Sequence, residues 1–234
     1  MQLVPHGSPY DIHFSVGPFP VRVAWTHWLG SILLGWNSIH FGGQGPQPVF
    51  LALWILIVFV SILVHELGHA VAARWFGYPC HVLLYHFGGL AFFQPQRHTS
   101  GREIVISLAG PAAGFLLYGM TWLFSVYALP NLPAPQSVMT ANAVLFVVVQ
   151  MMHVNLFWTV LNLLPVLPLD GGRVSAAVCH EINPRRGAEW AGRISVMASA
   201  VAAVALWQMG QAFAGILFLV LAVQNYQALS GRSF

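Results

Sequence analysis

Apolar residues run almost unbroken through six stretches of the chain, at about 24–41, 49–76, 104–128, 140–164, 188–207 and 212–229. A helix needs about 20 mostly apolar residues to cross the hydrocarbon of a bilayer, so each stretch reads as a membrane span. The last two are parted only by Gln208-Met209-Gly210-Gln211, a short polar break that reads as a tight turn between antiparallel helices. Other pieces follow a different period. Residues 12–16 and 20–23 alternate around Gly17-Pro18, and 82–87 and 90–93 flank Gly88-Gly89, so both read as pairs of short strands. The second pair is apolar although it lies on a loop. It either covers a helix end or faces a bound chain.

The expected fold is therefore an all-α polytopic membrane protein of six transmembrane helices, with a small membrane-associated β element near the cytoplasmic side. One membrane-embedded domain is expected over 1–234. Its parts are N-terminal strands (1–23), spans one to three with the hairpin 82–93 (24–128), a fourth span with a broken Asp-Gly segment (140–182), and a C-terminal helical hairpin (188–229).

Composition agrees. Hydrophobic residues make up 57% of the 234 positions and charged residues only 6%, against roughly a quarter charged in a soluble domain. That excludes a soluble enzyme, a nucleic-acid binder and a disordered protein. All 9 basic residues are arginines, and they test the span count. With the N-terminus inside, the outer loops 42–48, 129–139 and 208–211 contain no charged residue. The inner segments then hold Arg22, Arg74, Arg97, Arg102, Arg173, Arg185, Arg186, Arg193 and Arg232, as the positive-inside rule requires. Six spans with both termini cytoplasmic satisfy that partition, and an odd number would not. Cys80 and Cys179 are too few for a disulfide framework, and the first residues lack the charged and apolar regions of a cleavable signal peptide.

Within the second span stands His65-Glu66-Leu67-Gly68-His69. His65 follows Val49 by 65 − 49 = 16 residues, which puts it about 24 Å along the helix and in the inner third of a hydrocarbon layer about 30 Å thick. An ionised group at such depth costs at least about 2.5–3.5 kcal/mol, so intramembrane ionisable residues are functional candidates. Histidines at i and i+4 share a helical face and can reach one ion. Zinc accepts imidazole nitrogen, and a catalytic site keeps one coordination position for water. Glu66 can serve that water as a general base.

Two histidines leave such a site short of a ligand. After the fourth span, Pro165 and Pro168 break the helix, and Asp170-Gly171-Gly172 follows in an otherwise apolar stretch. A carboxylate suits zinc as a third ligand, and Asp170 equally suits the start of a short helix as a cap. His153, Asn155 and Asn162 add polar groups to the fourth span. For Asn155 and Asn162, seven residues apart on nearly one face, interhelical hydrogen bonding is the favoured reading. His27 and His40 are expected to be interfacial or bonded within the bundle. Ionisable groups in a membrane also mark ion pathways, so a multi-pass ion or metal transporter is the alternative reading. The absence of an inverted repeat speaks against it.

The two polar segments together resemble the site-2 protease family of intramembrane zinc metalloproteases. That family pairs His-Glu-x-x-His in one span with Asn-x-x-Pro-x-x-x-x-Asp-Gly near a later one. Here these read as His65-Glu66-Leu67-Gly68-His69, and as Asn162-Leu163-Leu164-Pro165 through Asp170-Gly171. Softer likenesses are Gly17-Pro18-Phe19-Pro20-Val21-Arg22-Val23, Gly88-Gly89 and Ala109-Gly110-Pro111. The resemblance implies one zinc ion held by His65, His69 and Asp170, with Glu66 as general base and Asn162 as a donor to the oxyanion. It implies hydrolysis of a peptide bond within or near a transmembrane segment, as in regulated intramembrane proteolysis. Suggested substrates are anti-sigma factors, membrane-bound transcription regulators and signal-peptide remnants, met in the lipid bilayer of a cell (inner or plasma) membrane. No PDZ or CBS domain is legible, so a minimal, core-only member is expected.

Overall fold

A computed structural model describes residues 7–43, 45, 47–86, 88–93 and 99–231. Arg97, Arg232 and Phe87 lie outside the described residues. By its contacts the chain divides into two compact units, Met1–Pro95 with Ala112–Thr159, and Gln96–Pro111 with Val160–Phe234.

In the first unit, strands β1 (Ile12–Val16) and β2 (Phe19–Val23) form the expected N-terminal hairpin. Gly17 turns it with φ +55°, a conformation open to glycine because it has no Cβ. The second hairpin is β3 (Cys80–Tyr85) with β4 (Gly88–Phe93). Its turn differs from the expected one. His86 takes the positive φ of 24°, while Gly88 and Gly89 lie within β4, paired with Tyr85 and Leu84. The two hairpins join into one four-stranded sheet in the order β1-β2-β3-β4, through parallel pairing of β2 with β3 at Val21–Val82, Arg22–Leu83 and Val23–Leu84. Val23, Val82 and Leu84 are fully buried there, packed with Val58, Ile62 and Ala70 of helix α2 (Pro48–Trp75).

Asp11 ties this sheet to the start of the first helix. Its side chain accepts from Ser8 N–H at 3.0 Å, from Arg22 Nε and Nη2 at 2.8 and 2.7 Å, and from Trp25 N–H at 3.3 Å.

Helix α2 begins at Pro48, where fixed φ and a missing N–H cost nothing. It ends where Gly77 takes φ +81° and donates to the Arg74 carbonyl. Helix α1 (Trp25–Gly35) is only 11 residues long and passes into a 3₁₀ turn at Trp36–His40. Eleven helical residues rise about 16 Å, roughly half the hydrocarbon thickness. The first of the six expected spans is thus not a spanning-length helix. The apolar run 24–41 is interrupted by Asn37-Ser38, and the backbone tightens there.

Helices α3 (Ser100–Leu123) and α4 (Val138–Asn162) contribute to both units. A π turn at Phe124–Ala128 and a 3₁₀ turn at Leu129–Asn131 extend α3. The second unit adds α5 (Asp170–Ile182), α6 (Gly187–Gln208) and α7 (Ala212–Ser230). The expected hairpin of α6 and α7 is present, turned by Gly210 at φ +77°. Among the described residues, five helical segments are long and apolar enough to cross a membrane: Pro48–Trp75, Ser100–Asn131, Val138–Asn162, Gly187–Gln208 and Ala212–Ser230. The fold is that of a multi-pass membrane protein.

Candidate metal centre

The first unit supplies the histidines. His65 and His69 stand one turn apart on α2, both buried. Their rings meet edge to face with centroids 4.9 Å apart, and the two Nε2 atoms are separated by 3.2 Å. Two nitrogens on a tetrahedral zinc at about 2.0–2.1 Å would be about 3.3 Å apart. The separation therefore matches that of two ligands on one zinc ion.

Glu66, also buried, leans on strand β4: a Cβ placed on Gly89 would overlap its Cγ and lie 2.6 Å from Oε1. The bare backbone at residue 89 is what lets the strand approach this carboxylate. The same carboxylate is felt at Cys80 of β3, whose thiol is pushed up to about 11 by burial and by the negative charge of Glu66.

One turn before His65, Ser61 accepts a hydrogen bond of 3.0 Å from Asn155 Nδ2 of α4, which also donates to the Met151 carbonyl at 2.8 Å. Asn155 thus makes the interhelical bond that sequence favoured. His27 is fully buried against Trp28 and Phe59, and neither ring nitrogen has a hydrogen-bond partner among the described residues, so bonding within the bundle is not what it does.

Asp170 lies in the second unit. Helix α4 ends at Asn162, which is half-buried. Pro165 and Pro168 prevent its continuation, and α5 starts at Asp170 after an extended Leu169 at the N-cap. Asp170 is therefore the first helical residue rather than the cap, and it is buried. Any side chain on Gly171 would strike the carbonyls of Leu163 and Leu164, and one on Gly172 would strike the backbone of Val166 and Leu167. The double glycine after Asp170 lets α5 press directly onto the proline-broken segment. Sequence reasoning missed what holds that segment, namely Ser195 of α6 and Asn225 of α7, which bond to Leu167. The signal was available as lone polar residues in apolar spans.

His65 and His69 in the first unit and Asp170 in the second are buried donors, two imidazoles and a carboxylate, of the kinds that zinc accepts.

A family model, "Peptidase family M50", matches residues 53–141 and 123–206. The chain belongs to peptidase family M50. Among curated relatives, the protein named "Putative zinc metalloprotease sll0528" of Synechocystis sp. is 31% identical over 185 residues, covering 76% of this chain and 46% of the relative. "Zinc metalloprotease MJ0392" of Methanocaldococcus jannaschii is 28% identical over 133 residues, 56% of this chain and 36% of the relative. The M50 chain described here thus matches less than half the length of each of these two relatives. A solved structure titled "Site-2 Protease from Methanocaldococcus jannaschii" superposes with a TM-score of 0.61 at 21% identity, over 94% of this chain and 95% of that one. The M50 chain therefore has the site-2 protease fold.

Proposed function

We propose that this chain is an intramembrane zinc metalloprotease, in which His65, His69 and Asp170 hold one zinc ion and Glu66 is the general base. The observation that carries the reading is the convergence of the two Nε2 atoms to 3.2 Å within a buried turn of α2 that also bears Glu66. The names of the M50 relatives support it. Zinc bound there would supply Lewis acidity, polarising a peptide carbonyl and making a nearby water easier to deprotonate.

The remaining work falls to the chain. Glu66 takes a proton from the attacking water and returns it to the leaving amine as the C–N bond breaks, leaving one carboxylate and one amine. The Asn162 side-chain amide donates to the carbonyl oxygen as negative charge develops on it, a donor role worth about 2.7–4 kcal/mol.

The substrate is a transmembrane protein met in the lipid bilayer. Its helix must first give up its internal hydrogen bonds, because a helical peptide bond is shielded by side chains and neighbouring turns. Strand β4 is an edge of the sheet and passes Glu66 at Gly89, so it can receive the extended segment by strand addition. Anti-sigma factors, membrane-bound transcription regulators and signal-peptide remnants all present such a segment, and regulated intramembrane proteolysis is the matching role. The arginine distribution supports a chain in the cell membrane with both termini in the cytoplasm, α1 and the 3₁₀ turn after it serving as a sixth crossing.

The test is cleavage of a membrane-embedded substrate by the full chain in liposomes. Glu66→Gln should lower the rate by at least about 10²-fold while leaving the metal content intact. Undiminished cutting by that variant would remove Glu66 from the mechanism.

A further inference from the structure

The segment that leads to Asp170 takes two of its backbone hydrogen bonds from other helices. Between α4 and α5, the N–H groups of Leu163 and Leu164 go to the carbonyls of Val160 and Leu161, that of Val166 to Leu164, and that of Leu169 to Val166. Pro165 and Pro168 have no N–H to place. Leu167 remains. Its N–H donates to Ser195 Oγ of α6 at 2.8 Å, and its carbonyl accepts from Asn225 Nδ2 of α7 at 2.8 Å. Ser195 is fully buried and Asn225 is buried with it. Both stand in helices that are otherwise apolar enough to span a membrane. Broken backbone at that depth is tolerated only where other groups satisfy it.

What Leu167 does is passed to Asp170 three residues on. Gly172 sits against the backbone of Val166 and Leu167, and Gly171 against the carbonyls of Leu163 and Leu164. The first turn of α5 therefore takes its position from this segment.

We propose that Ser195 and Asn225 are positioning residues that clamp Leu167 and thereby hold the Asp170 carboxylate where it binds metal. The proposal rests on the reading of Asp170 as a zinc ligand. Outer partners that orient ligands typically change metal affinity by about 10- to 100-fold when removed. Ser199 provides an internal control, since it is a buried serine one turn further along α6 whose hydroxyl donates only to the Ser195 carbonyl of its own helix.

The experiment measures zinc affinity by chelator competition, and the melting temperature of the metal-stripped protein, for the full chain in lipid nanodiscs. Ser195→Ala and Asn225→Leu should each weaken zinc binding by about 10- to 100-fold, Ser199→Ala should leave it unchanged, and Ser195→Thr, which keeps the accepting oxygen, should restore it. Wild-type zinc binding that is indifferent to Asp170→Ala would overturn the ligand reading itself. Binding that depends on Asp170 but is unchanged in Ser195→Ala and Asn225→Leu would overturn the clamp alone. A lower melting temperature with unaltered affinity also counts against the clamp, because that is what a purely structural role gives. If Asn225→Leu does not fold, the comparison of Ser195→Ala with Ser199→Ala decides, each having lost one buried hydroxyl from the same helix.

Discussion

A side chain larger than hydrogen at position 89 would meet Glu66 at once. Gly89→Val should therefore push the carboxylate out of place, and a displacement of about 1 Å at a reacting group can cost about 10²-fold in rate. On the proposed mechanism the expected result is substrate cleavage slowed on that scale with metal content retained, both read on the same sample. Asp11 gives a second prediction at this scale. The Ser8 N–H, the Arg22 guanidinium and the Trp25 N–H hold its carboxyl below the usual carboxylate range, while burial acts in the opposite sense. Since the folded value is depressed, the stabilisation is present above the unfolded value of about 3.9 and is lost as pH falls through the folded value. Protection of the β1 and β2 amides, taken relative to the unstructured exchange rate at each pH, should fall on acidification into that range, and Asp11→Asn should show the lower protection already at pH 7. His65, Glu66 and His69 were legible in the sequence because their relation is local, fixed by the helical repeat. The contact of Gly89 with Glu66 was not, because it depends on where a distant strand comes to lie.

The elements repeat that division. The α6–α7 hairpin and the β1–β2 hairpin were readable from Gly210 and Gly17, whose positive φ angles belong to their own turns. The β3–β4 turn was displaced from Gly88-Gly89 to His86 because the two glycines are used for a close approach rather than for a bend. The parallel pairing of β2 with β3 joins pieces about sixty residues apart in the chain, and alternation within each strand cannot specify it. At this scale Asn155 and Ser61 join α4 to α2 one turn from His65. Hydrogen bonds between membrane helices average only about 0.6 kcal/mol. Asn155→Leu should therefore lower unfolding free energy by about 0.5–1.5 kcal/mol, measured by steric trapping in bilayers, without loss of the fold.

For the whole molecule, composition and the arginine pattern were enough to read a multi-pass membrane protein, and among the described residues five helices have the length and polarity for crossing. The count of six was less legible because α1 is half the needed length and its continuation is 3₁₀. Six crossings place residues 10 and 45, which flank α1 and the 3₁₀ turn after it, on opposite faces. Single cysteines introduced there, in a chain lacking Cys80 and Cys179, should be labelled by an impermeant maleimide from opposite sides of sealed vesicles. Labelling of both from one side would remove the sixth crossing. The central claim concerns the metal, and zinc K-edge absorption of the intact chain in nanodiscs addresses it most directly. The account predicts one zinc per chain, bound by two imidazole nitrogens at about 2.0–2.1 Å together with oxygen, with occupancy lost in Asp170→Ala. Zinc held by sulfur, or an unchanged spectrum in Asp170→Ala, would contradict it.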